Sequence, residues 1–141
     1  MFPCTGPERK LSGSKKGLSR ALWSTTCAYM CLIIVHFALR VRGFPGVHEL
    51  GRRCPVWNAT VRDCDFLLHA SRRAYLLYIK RLSCLHYSAA VCCLLRLHGV
   101  KASLVIGVRQ RPFGAHAWVE LNKTVLVSSE DVSPYQVIER I

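Results

Sequence analysis

The sequence predicts an α+β domain in which helices come first and a small antiparallel sheet follows. Three observations predict it. Apolar residues up to about His98 recur at intervals of three to four, which suits helices with one buried face. After Gly99 the pattern changes to short β-branched and alternating runs. The breaks between those runs are polar and only a few residues long, as in a meander.

The bulk composition sets the frame. With 51% hydrophobic and 20% charged residues, a chain of 141 residues can bury one modest core. Twenty Lys+Arg against eight Asp+Glu give a formal charge of +12, a balance that favours acidic partners or anionic surfaces. Nucleic acid is not the expected partner. The basic residues form no run longer than a pair such as Lys15-Lys16, and aromatic rings are not interleaved with them.

Residues 1–19 are rich in Gly, Ser, Pro and Lys and read as a flexible basic lead-in. A single domain is expected over 20–141, helical over 20–80, with the chemistry in 81–141. No Lys, Arg, Asp or Glu occurs in residues 21–39 (ALWSTTCAYMCLIIVHFAL), which open on Ala21 and close on Leu39. The length would span a bilayer, but the stretch is diluted by Ser24, Thr25, Thr26 and His36 and flanked by arginine on both sides. It reads first as a core or interface helix, with membrane association as the alternative.

Gly43, Pro45 and Gly46 end that helix, and a short segment leads to a turn at Cys54-Pro55. A long helix is expected over 61–79, burying Phe66, Leu67, Ala70, Ala74, Leu77 and Tyr78. Another runs from Cys84 to about His98, with Leu85, Ala89, Cys92 and Leu95 on its buried face and Gly99 as its stop. Strands follow at 102–108, 115–121 and 124–127, separated by turns at 109–114 and at Asn122-Lys123.

The eight cysteines do not read as a disulfide framework or a zinc site. Cys27 and Cys31 share a helical face, Cys92 and Cys93 are adjacent, and no C-x-x-C pair occurs. Seven of them are expected to be small buried hydrophobes in a reducing cytoplasm.

Cys84 is the exception. A cysteine at a helix start meets unpaired backbone N–H groups and the positive end of the dipole, which favour a thiolate. Those N–H groups can also hold an oxyanion. His116 stands on the strand that follows Pro112-Phe113-Gly114, with Trp118, on the face opposite Ala115, Ala117 and Val119. From there it can reach a helix terminus packed on the sheet, as a Cys/His pair requires. Trp118 is the expected wall beside His116, and Glu120 falls on the same face, able to steady a basic partner. Arg109 and Arg111, on the loop before the histidine, can touch a carboxylate-bearing peptide.

The stretch C-L-x-x-S-x-x-x-x-x-L-L-R-x-x-G-V-x-A-x-L-V-I-G-V from Cys84 to Val108, followed by PFGAHAWVEL, resembles the C-terminal half of lasso-peptide B proteins. These are leader peptidases, and the spacing from Cys84 to His116 is that of the family. The resemblance covers about 82–141. It implies a transglutaminase- or papain-like core, Cys84 as nucleophile and His116 as its base, with no metal or organic cofactor. It also implies a precursor-peptide substrate, a separate leader-binding protein and an ATP-dependent macrocyclase that joins the new amine to an acidic side chain. The family places an aspartate where this chain has Ser128. Asp131 is the preferred third catalytic residue, with Ser128 as its rival and Glu130 as a further carboxylate in reach. A serine there would orient the ring by accepting the Nδ1 proton.

Overall fold

The computed structural model describes residues 15–54, 56, 64–78 and 82–141. Among them, four helices pack against a four-stranded antiparallel sheet. The fold is α+β, with the helices preceding the sheet.

Helix α1 (Lys15–Arg42) begins inside the segment read as a lead-in; residues 1–14 lie outside those described. It buries Ser24, Ala28, Cys31, Leu32 and Val35, a stripe with helical spacing that packs on the three helices that follow. The chain breaks at Gly43 and turns into α2 (Phe44–Arg53). This second helix occupies the short segment expected between the Gly43 break and the turn at Cys54. Pro45 sits in its first turn, where a missing N–H costs nothing, so the proline that signals a break also starts a helix.

Helix α3 (Cys64–Leu77) covers the middle of the expected 61–79 helix; 61–63 and 79 lie outside the described residues. It buries Leu67, Ala70 and Ala74 as expected, whereas Leu77 is 65% exposed. Helix α4 (Cys84–Leu97) is the centre of the molecule. Every residue from Ser88 to Leu95 is buried, not one face alone, because helices cover one side and the sheet covers the other. It ends where expected. Gly99 takes φ 85°, and the N–H groups of Gly99 and Val100 return to the carbonyls of Arg96 and Leu95, the two bonds of a Schellman stop.

The sheet runs in the order β3 (Thr124–Val127), β2 (Phe113–Leu121), β1 (Ser103–Gln110), β4 (Gln136–Arg140). The β1–β2 ladder extends to the pair Gln110 and Phe113, so the connection is two residues long and not the six-residue turn expected over 109–114. Asn122 and Lys123, at φ 51° and 66°, form the tight β2–β3 turn. Strand β4 was not anticipated. It pairs with the otherwise open edge of β1.

The two faces of the sheet bury different sets. Ala102, Leu104, Ile106, Ala117 and Val119 join the main core under α4. Val105 and Trp118 pack with Tyr135 and Val132 on the opposite face. The sheet is therefore covered on both sides, and the segment between β3 and β4 forms the second cover.

Candidate functional site

Cys84 opens α4. Ser83 precedes it as an extended residue (φ −73°, ψ 164°) and makes no side-chain cap. Its hydroxyl instead meets Nδ1 of His86 at 2.7 Å. The first-turn N–H groups of α4 are thus left without a capping side chain, open toward a ligand oxygen. Burial holds the His86 pKa below the usual histidine value, and the neighbouring His36 adds to the effect. Cys84 is half-buried and lines a groove of about 530 Å³ that runs between α3, the head of α4 and β3. Tyr87 and Ser88 continue the α4 side of this groove, and Leu126 and Ser128 form the β3 side.

His116 lies on the other face of β2 from Ala117, which lines that groove, and it is 3% exposed. Its Nε2 is 2.9 Å from Oγ of Ser128. Ser128 donates its only hydroxyl hydrogen to the carbonyl of Glu130 at 2.6 Å. Ser128 must then accept from His116, which places the ring proton on Nε2 and leaves the Nδ1 lone pair as the basic site. The ring atom involved is Nε2, where the sequence suggested Nδ1.

Aromatic rings and a carboxylate fix this histidine. Trp118 stacks beside it at 6.1 Å and 18° between planes, and Tyr135 approaches at 5.4 Å. Trp118 is held in turn: its Nε1 donates to Glu120 at 2.8 Å, and Glu120 is paired with Arg140. Gly107, opposite His116 in the β1–β2 ladder, makes room for that indole. A Cβ there would sit 2.7 Å from the edge of the Trp118 ring. Tyr135 donates to Glu130 at 2.7 Å, and this bond raises the tyrosine pKa and lowers that of the carboxylate.

Asp131, the preferred third residue, is not the group on His116. Its two oxygens take the N–H of Ser133 at 3.0 Å and the Ser133 hydroxyl at 2.7 Å, closing a local turn. That bonding is also what keeps its pKa below the usual aspartate value. Glu120 is buried, and its basic partner is Arg140. Arg109 lies over the Tyr135 ring at 5.2 Å, and Arg111 is exposed.

Among the described residues, Cys84 makes no hydrogen bond to His116. Ser128 links the two, bonded to His116 and lining the groove with Cys84. Tyr135 links them again, in ring contact with His116 and within electrostatic range of the thiol. Cys/His contacts of this kind commonly close only when substrate is bound. Tyr135 is the site residue that sequence reasoning missed; the one signal for it was an aromatic after Pro134 at the start of an unrecognised strand.

Cys27, Cys31, Cys54, Cys84, Cys92 and Cys93 are free thiols. Cys31, Cys92 and Cys93 are buried, while Cys27, Cys54 and Cys64 are half-buried like Cys84.

Cys84 thus heads the central helix of an α+β core, and His116 stands hydrogen-bonded on the adjoining sheet. The chain belongs to the transglutaminase-like superfamily: a model of that superfamily matches residues 31–140, from the core of α1 to the end of β4. Comparison with curated proteins and with solved structures returns no match.

Proposed function

We propose that the protein is a cysteine peptidase that removes the leader from a ribosomally made, lasso-type precursor peptide before macrocyclisation. The observation that carries this is His116, with its Nε2 proton held by Ser128, a residue that also lines the groove that Cys84 heads. The superfamily match and the Cys84–Val108 and PFGAHAWVEL motifs support it.

In the proposed reaction, Nδ1 of His116 takes the Cys84 proton and the thiolate attacks the carbonyl carbon at the leader–core junction. N–H groups in the first turn of α4 hold the oxyanion. Collapse breaks the C–N bond, and His116 returns its proton to the departing amine of the core peptide. The leader remains as a thioester on Cys84. A water deprotonated by His116 then hydrolyses it, freeing the leader carboxylate and the thiol. The core amine passes to an ATP-dependent macrocyclase, and a separate leader-binding protein presents the precursor in the cytoplasm.

The test compares wild type with Cys84→Ala, each mixed with a precursor peptide and its leader-binding protein, with leader release followed by mass spectrometry. Cleavage by wild type alone supports the peptidase. Ser128, where the resembling family has aspartate, favours a second reading: a catalytically degenerate scaffold that bridges precursor and cyclase. Retained precursor binding without cleavage by either protein would establish that reading instead.

A further inference from the structure

Helix α1 is apolar on both sides. Opposite its buried stripe, Trp23, Met30, Ile34, Phe37 and Val41 form a second line with helical spacing, and Trp23 and Phe37 are 70% and 67% exposed. A helix that has already packed one face on its own domain does not ordinarily leave the other so apolar. Exposed Leu76 and Leu77 add apolar surface at the end of α3, where Tyr78 packs 5.7 Å from Tyr29 of α1.

Charge selects the occupant. Helix α1 contains no Asp or Glu, and its exposed arginines, Arg20, Arg40 and Arg42, stand at its two ends. Arg72 and Arg73 are exposed on the adjoining α3. An apolar strip bounded by cations, in a chain of formal charge +12, fits an anionic surface. A second copy is disfavoured, since it would bring the same positive charge to the contact and no carboxylate from α1 to offset it. Spanning is disfavoured too. The side of α1 bearing Ala28, Leu32 and Val35 is locked against α2, α3 and α4, which would have to enter the hydrocarbon with it.

We propose that α1 docks the protein on the surface of an anionic bilayer, lying in the interface plane with Trp23, Met30, Ile34, Phe37 and Val41 facing the acyl boundary. The docked helix touches the head of α4, because His36 and His86 are 5.4 Å apart. This surface is separate from the groove and does not depend on the peptidase activity.

The experiment is flotation of the full chain with phosphatidylglycerol-rich vesicles and with phosphatidylcholine vesicles, at low and high salt. Wild type is expected to float with the anionic vesicles, less at high salt, and poorly with phosphatidylcholine. Trp23→Glu with Phe37→Glu, both at exposed positions, should weaken partitioning by at least about tenfold. Quenching by brominated lipid provides a second measurement on the unaltered fold: wild-type fluorescence should be quenched, and Trp23→Phe should lose most of that quenching. Wild type remaining unbound, or the double glutamate variant floating as well as wild type, overturns the proposal. So does a soluble oligomer or protein complex that the double variant dissolves without any vesicle binding, which would give the face to a protein partner. Resistance of the bound protein to high salt and carbonate, as for a spanning helix, overturns it as well.

Discussion

Nε2 of His116 lies 2.9 Å from Oγ of Ser128, and that same oxygen donates at 2.6 Å to the carbonyl of Glu130. One hydroxyl thus fixes both the orientation and the tautomer of the ring without placing a negative charge beside it. A neutral third residue is compatible with cysteine chemistry, as the Cys–His–Asn arrangement of papain-like enzymes illustrates.

Ser128→Ala should lower kcat/KM for leader release roughly three- to tenfold, the cost of one hydrogen bond that orients the base. Ser128→Asp, which keeps an acceptor on the ring and adds a charge, should restore the kcat/KM lost in Ser128→Ala to at least the wild-type level. Rates measured across pH for the three proteins check both. Unchanged activity in Ser128→Ala would remove Ser128 from the mechanism.

Gly107→Ala should destabilise the fold by about 2 kcal/mol, the usual cost of overpacking a well-filled site. The new Cβ would meet the Trp118 ring at 2.7 and 2.9 Å and the Gln136 carbonyl at 3.0 Å. The indole cannot easily retreat, since Glu120 holds its Nε1 at 2.8 Å. Urea denaturation of the variant and wild type gives the difference directly.

Stability should fall as pH drops below about 6.5, the ordinary histidine value. Burial, then His36, depresses the His86 pKa in the folded state. Between the folded and unfolded values the unfolded chain therefore binds more protons, and acid favours unfolding. The contribution is complete above that window and lost on descent through it. Thermal melts across this range should show a shallower slope for His86→Gln. An identical slope would contradict the assignment.

Cys54 should be alkylated more readily than Cys31 or Cys92. The neighbouring Cys93 side chain, aided by the Arg96 charge, lowers its pKa to about 7 despite partial burial, and the thiol lies 3.8 Å from the Cys93 carbonyl. Burial raises Cys31 and Cys92 to about 11. Iodoacetamide at neutral pH, applied to Cys84→Ala to silence the proposed nucleophile, should modify Cys54 at least roughly tenfold faster than either. Peptide mapping reads the order of labelling, and equal rates would refute it.

The elements that local chemistry specifies were legible in the chain. The Cys84 helix and its stop at Gly99 follow from apolar spacing and the left-handed conformation that glycine accepts. The Asn122-Lys123 hairpin follows from alternation broken by two turn residues. Less legible were α2, whose Pro45 resembles a break, and β4, whose strand character comes from the open edge of β1. The one-sided burial of an α1 that is apolar all round, and the all-round burial of α4, depend on what covers each helix, which periodicity alone does not state.

The sequence by itself determined the α+β order, the cysteine at the head of a helix and the histidine on a strand, because capping, period and turn residues act over a few positions. Only the tertiary structure decided which group meets His116. The β2–β3 ladder pairs Val119 with Val127 and then Glu120 with Val125, and the intervening bulge sets where the chain leaves β3. Ser128 is delivered to Nε2 there, while Asp131, three residues on, has already turned back to Ser133. A register shift of one residue exchanges which side chains face the site, and that choice rests on long-range packing rather than on any local signal.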